Sequence, residues 1–258
     1  MTHIRSVFAS ITLALFILIS GSQFRLNSSK DILMVYGIGA LMGLHWLTFF
    51  YGMQSSSVAI GMLALFTFPV MTVIIEPFFN GRRLQKLDII LALLVLLGLA
   101  IIVSGSLFET TVKKSQQEII YGVASGVASA LLFSFRNLLQ KYRCNDIPSD
   151  TLMLHQLIMI VIMMSFIIDI PSIQALPNHY WFYLVTLGVI TTAVAHTLLV
   201  KSYKLFPAKS VAMVSCLQPV FGSVLAWLIL GEHLGITTII GGMIILGAAL
   251  YESTKTPQ

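Results

Sequence analysis

Charge is scarce in this chain. Only 10% of its 258 residues are Asp, Glu, Lys or Arg, against about 25% in an ordinary soluble domain. With 57% apolar residues, a fold whose main solvent is water is excluded. Cysteine is nearly absent. Cys144 falls in a loop and Cys216 inside an apolar run, which makes no disulfide framework and reads as two inert thiols. Long polar stretches are missing as well, the longest loop being about a dozen residues. No separate soluble domain can form, and a non-transporting sensor or scaffold subunit, the alternative reading, lacks the soluble part it would use. There is no H-E-x-x-H and no G-x-S-x-G, and the six histidines are scattered singly. No enzyme, metal site or cofactor is expected on that basis. The net charge of +5 does not point to nucleic acid, because the basic residues sit in short loops between apolar runs.

What the chain does have is apolar length. Nine runs are long enough to cross a bilayer: 6–22, 31–53, 58–79, 88–106, 119–140, 151–170, 180–203, 209–230 and 235–252. Backbone groups cannot stay unpaired in lipid, so each run is expected to be a helix and the protein all-α. The first run, behind Arg5, could instead be a signal peptide, although Gly21-Ser22-Gln23 is a weak cleavage site.

Loop charge sets the orientation. Assigned alternately, Arg25, Lys30, Arg82, Arg83, Lys86, Lys141, Arg143, Lys201, Lys204, Lys209 and Lys255 fall on one side. Arg5, Lys113 and Lys114 fall on the other, and Arg136 lies within a span. Positive charge stays on the cytoplasmic side, which puts the C-terminus inside and, with nine crossings, the N-terminus outside.

Two stretches 150 residues apart read as copies, FPVMTVIIEPFFNGRRL (68–84) and QPVFGSVLAWLILGEHL (218–234). In each, a Gly follows the Pro by twelve positions (Gly81, Gly231) and a Leu by fifteen (Leu84, Leu234). The first copy ends in Arg82, Arg83 and Lys86, the second in Glu232 and His233. Opposite end charge means opposite direction in the membrane. Pro69 and Pro219 lie five spans apart, an odd offset that also requires inversion. Two inverted repeats of a five-helix unit follow, 1–106 and 119–252, the first without its opening helix. Inverted repeats in an apolar chain mark secondary transporters. The flank left bare by the missing helix predicts either a gene model that starts too late or a homodimer.

These residues resemble the EamA-like carriers of the drug/metabolite transporter superfamily. The family's repeat ends in a helix with a central Pro, then Gly-Glu-x-Leu, then a glycine-bearing helix. Pro219, Gly231, Glu232, Leu234 and Gly247 match in the second half, and Pro69, Gly81, Leu84 and Gly98 in the first, where Arg82 replaces the usual Glu. IRSVFASITLALFILI (4–19) looks like the family's second helix. The resemblance implies a multi-pass integral protein of a bacterial cytoplasmic membrane, with lipid around it. It implies a carrier of small organic metabolites or drugs, often outward and often by exchange with protons. It does not name the solute.

Ionisable and polar groups inside spans are the candidate chemistry. Glu76, beside Pro77, reads as a proton-binding carboxylate or substrate ligand, or as a helix-end acid that snorkels or pairs with Arg83. Burial disfavours the charged form of a carboxyl, which makes Glu76 the expected proton carrier. Arg136, next to Asn137, reads as the holder of an anionic substrate group, as a partner of Glu76, or as a snorkelling side chain. Aligned on the prolines, His196 falls opposite Trp46, one residue from His45. These three read as cavity lining, Trp46 as an apolar or stacking wall, or the histidines as groups bonded to a neighbouring helix. Gln218 precedes Pro219. Each of Pro69 and Pro219 removes a backbone bond and is expected to kink its helix, the freed carbonyl facing a cavity or the kink serving only packing. His45, Trp46, Arg136, His196 and Gln218 are thus the expected substrate-binding set, near the midplane between the halves.

A reporter active only in the cytoplasm is expected to be on when fused after Gln258 and silent when fused at Lys113. The reverse pattern would invert the topology.

Overall fold

The computed structural model describes residues 2–81, 83–109, 115–174, 176–230 and 235–254. Arg82, Lys113, Lys114, Lys255 and the Gly231, Glu232, His233 and Leu234 end of the second copy lie outside the described residues. Among those described there is helix and no strand. The helices are α1 (Thr2–Ser20), α2 (Ser29–Ser55), α3 (Val58–Leu65), α4 (Phe68–Asn80), α5 (Lys86–Glu109), α6 (Gln116–Arg143) and α7 (Ser149–Ser165), followed by α8 (Ile170–Gln174), α9 (Asn178–Thr186), α10 (Ala195–Leu205), α11 (Ala208–Ser215), α12 (Gln218–Leu230) and α13 (Ile236–Thr254). A π-helical segment, Leu187–Val194, joins α9 to α10. Among the described residues seven helical stretches are long and apolar enough to cross a membrane, while Ser149–Ser165 and Ile236–Glu252 are apolar but shorter.

Local chemistry explains where these helices begin, break and end. Gly81 takes φ 69°, a left-handed conformation with no Cβ penalty, and its N–H closes α4 onto Pro77 O at 2.9 Å. Ser57 caps α3 by accepting from Ile60 N at 3.2 Å. Runs 58–79 and 209–230 are each interrupted, at Phe66–Thr67 and at Cys216–Leu217. Pro69 and Pro219 stand in the first turn after the interruption, where their missing N–H is tolerated. Run 151–170 ends early, at Ser165, where Phe166 N and Ile167 N turn back to Met163 O and Met164 O. The π segment is held by Thr192 Oγ1, which donates to Leu187 O five residues back at 2.9 Å.

The chain forms two compact units, each drawing on both halves of the sequence. One comprises residues 1–44 and 139–205, the other 45–138 and 206–258. In the first, α1 lays Ile4, Ala9, Leu13 and Ile17 inward, at helical spacing, toward α7 and the π segment. A Cβ on Gly188 would lie 2.7 Å from Phe8 Cβ, and one on Gly39 2.8 Å from Met159 Cβ, so small residues set how closely these helices approach. In the second unit, α5 and α13 pack along much of their length, around Val95, Leu99, Ile102 and Ile245. Their backbones touch at Gly98 and Gly241, where a Cβ on Gly98 would lie 2.7 Å from Gly241 O. Gly52 meets Gly122 O in the same way, at 2.9 Å.

Gly98→Val is expected to lower the midpoint of thermal unfolding in detergent, because overpacking costs about 1–3 kcal/mol. Gly222→Ala, where the added Cβ meets nothing within 4 Å, is expected to keep or slightly raise it, because Ala is the better helix former. Equal effects of the two would contradict the α5–α13 contact.

Candidate functional site

The second unit holds a run of polar side chains that the apolar sequence around them leaves no water to solvate. On α6, Ser129, Ser134, Arg136 and Asn137 are all fully buried. At about 100° per residue Ser129 and Arg136, seven apart, point the same way and Asn137 lies beside them, whereas Ser134, two residues from Arg136, faces another side of the helix. Two partner helices meet α6 at Ser129 and Ser134. From α2, His45 Nδ1 lies 2.8 Å from Ser129 Oγ and 3.1 Å from Ser129 O, while Ser129 Oγ donates to His45 O at 3.0 Å. A hydroxyl has one proton. If Ser129 gives it to the carbonyl, Nδ1 carries the imidazole proton and Nε2 is the acceptor. The ring stacks on Phe133, with centroids 4.7 Å apart. Trp46, the next residue, is buried too.

From α4, Thr72 Oγ1 donates to Ser134 Oγ at 3.2 Å, and Ser134 Oγ donates to Phe68 O at 3.0 Å. Arg136 Nη1 donates to Asn137 Oδ1 at 2.8 Å. Among the described residues Arg136 is the largest fully buried side chain, so its guanidinium does not reach the surface of the protein. An enclosed guanidinium carries a desolvation cost of several kcal/mol unless it is hydrogen-bonded and matched in charge.

Glu76 sits one helical turn beyond Thr72, on the same face of α4, and is 5% exposed. Its carboxylate caps another helix. Oε1 accepts from Ala208 N and Oε2 from Lys209 N, both at 3.0 Å. These are the first two N–H groups of α11, whose N-cap is Pro207 and makes no side-chain cap bond. A helix start leaves four such donors without an intrahelical acceptor and carries partial positive charge. Glu76 therefore satisfies two of them and matches the dipole. Lys209 extends the junction, its Nζ lying 2.8 Å from Asp88 Oδ2 and 3.8 Å from Glu252 Oε1. Ser210 Oγ donates to Glu252 Oε1 at 2.9 Å. Helices α4, α5, α11 and α13 are thus tied at one end by three carboxylates and one ammonium.

His196 belongs to the first unit, and its Nδ1 lies 2.9 Å from Thr191 O of its own helical stretch. Gln218 is exposed at the start of α12, and Pro219 half-buried behind it. Ser129, Thr72, Ser134, Asp88, Lys209 and Glu252 were not singled out from sequence. The i, i+4 spacing of Thr72 and Glu76, and the polar positions repeating along α6, were the signals available. Outside the spans, burial pushes the Cys144 thiol up to about 11, against the opposing effect of Lys204, so it is held as the unreactive thiol. Among the described residues, no group of His, Cys, Asp and Glu could hold a metal ion.

Known proteins share this arrangement of helices. The model of the EamA-like transporter family matches residues 1–104 and 120–253. An uncharacterized transporter of Bacillus subtilis (strain 168), YxxF, is 25% identical over 253 residues, which covers 94% of this chain and 79% of that protein. A solved crystal structure superposes with a TM-score of 0.80 at 18% identity, over 98% of this chain and 85% of the other, which shows a shared fold.

Removing the Glu76 acceptors is expected to destabilise the second unit in steps. Glu76→Gln keeps one acceptor oxygen and Glu76→Ala none, and each N–H left unsatisfied costs about 1–3 kcal/mol. Thermal unfolding in detergent is expected to rank parent, Gln, Ala in falling order. Identical midpoints would show that the cap carries no weight.

Proposed function

The chain belongs to the EamA-like transporter family, and on that premise we propose that this membrane transporter is a secondary active carrier of small organic metabolites or drugs. It moves them outward across a bacterial cytoplasmic membrane, coupled to protons or by exchange. Nine crossings are part of the proposal, the two shorter apolar helices crossing with the seven longer ones, in two inverted repeats. Two separate stretches of match to the family model, 1–104 and 120–253, support the repeat.

The observation that carries the reading is Arg136, a cation fully enclosed in an apolar helix. Ionisable groups inside spans are costly and mark pathways for substrates and ions. Arg136 orients an anionic group of the solute as a charge-assisted donor. His45, held by Ser129, offers a polar contact, and Trp46 an apolar wall. Gln218 stands exposed at the start of α12, available to the solute. His196, in the first unit, stays a proposed solute contact, its Nδ1 held by Thr191 O as that of His45 is held by Ser129.

Glu76 is the proposed proton carrier. As a carboxylate it accepts two backbone N–H bonds from α11. A proton on it removes the charge and turns one oxygen into a donor and a weaker acceptor, which loosens its hold on an N–H. Hydrogen bonds to a charged group contribute about 1.5–3 kcal/mol each, so protonation loosens α4 from α11. Those two helices come from opposite repeats of the proposed architecture, and inverted-repeat carriers work by moving one repeat against the other. Proton binding at Glu76 is in this way coupled to the motion that carries solute.

Flux into proteoliposomes tests the assignment. Glu76→Gln is expected to lower proton-gradient-driven flux at least tenfold while gradient-free exchange is retained. Unchanged driven flux would remove Glu76 from coupling, and the absence of any solute-dependent flux in the parent would favour the sensor or scaffold reading.

A further inference from the structure

The first unit carries a groove that the transport reading does not use. It follows α2 from Lys30 through Met34, Gly37, Ile38 and Leu41, closed on one side by Leu139. Its volume of about 500 Å³ is in the range that holds one small ligand. The lining is apolar throughout except at one end, where Lys30 stands exposed in the first turn of α2. Among the described residues no acidic side chain lies within 4.0 Å of the Lys30 ammonium, and the neighbouring Asp31 is half-buried. The positive end of the α2 dipole adds to the charge there.

We infer that this groove binds one acyl chain of an anionic phospholipid, with the headgroup phosphate on Lys30. Three features point to that occupant. The groove is apolar along its length and cationic at one end only, which matches an amphiphile with an anionic head. Lys30 to Leu41 spans about 16 Å at 1.5 Å per residue, half of a hydrocarbon core of about 30 Å. That is the depth of one leaflet, with the charge at the surface. The loop that leads into α2 also carries Arg25, on the side to which the loop charges assign the cytoplasm, where anionic lipid attracts basic residues. Gly37 forms the floor of the groove. A Cβ there would meet nothing within 4 Å, so a larger side chain fills the groove without displacing a neighbour.

Thermal unfolding of the purified full chain in a neutral detergent tests this, with added phosphatidylglycerol, phosphatidylcholine or glycerol phosphate. Phosphatidylglycerol is expected to raise the midpoint, and the other two to leave it where it was. Lys30→Ala is expected to weaken the apparent affinity for phosphatidylglycerol at least tenfold. Gly37→Leu is expected to abolish the lipid effect while the lipid-free midpoint stays at the parent value. Equal stabilisation by phosphatidylcholine would overturn the charge assignment. Stabilisation by glycerol phosphate alone would make the site a simple anion site and overturn the lipid. A dimer in the parent that Gly37→Leu splits would show that a second copy occupies the groove instead, and a phosphatidylglycerol effect retained in both variants would place the lipid elsewhere.

Discussion

A hydrocarbon environment supplies no hydrogen bonds, so every polar group the chain takes into it has to be matched by the chain itself. The long helices follow directly from that constraint. So does the treatment of each place where a helix stops inside the apolar region. Pro207 leaves α11 with no side chain to cap its first N–H groups, and Glu76 arrives from α4 to accept two of them. Where α4 begins, Ser134 of α6 donates to Phe68 O. In the π segment the wider turn is closed by threonine hydroxyls of the same stretch, Thr191 and Thr192 both donating to Leu187 O.

The same constraint explains why polar residues cluster rather than scatter. Once Ser129, Ser134, Arg136 and Asn137 are buried on α6, each needs partners. His45 of α2 meets Ser129, Thr72 of α4 meets Ser134, and Arg136 Nη1 donates to Asn137 Oδ1. An Arg enclosed in this way is expensive compared with an apolar side chain of similar volume. Its presence in a chain with so little charge is the physical basis for proposing a solute path beside it.

Much of the helical plan was legible in the sequence, because apolar length is a local property. Run 31–53 lies inside α2 and run 119–140 inside α6. The interruptions at Phe66–Thr67 and Cys216–Leu217 stand just ahead of the two prolines, whose backbone chemistry is local too. The role of Glu76 was not legible. Its acceptor partners lie 132 and 133 residues away, and they are backbone N–H groups, which leave no mark in a sequence. The pairing of His45 with Ser129 spans 84 residues, and a single serine on an apolar helix carries no signal of its own. Arg136 was visible as a charge within a span, but only the packing shows that it is enclosed.

The account stands on the claim that the Glu76 carboxylate holds the start of α11. Hydrogen–deuterium exchange of the backbone amides measures that directly, comparing Glu76→Gln with the parent at one pH. The account predicts that amides of the segment beginning at Ala208 and Lys209 exchange at least tenfold faster in the variant, with α7 unchanged. Equal exchange at Ala208 and Lys209 in the two proteins would contradict it.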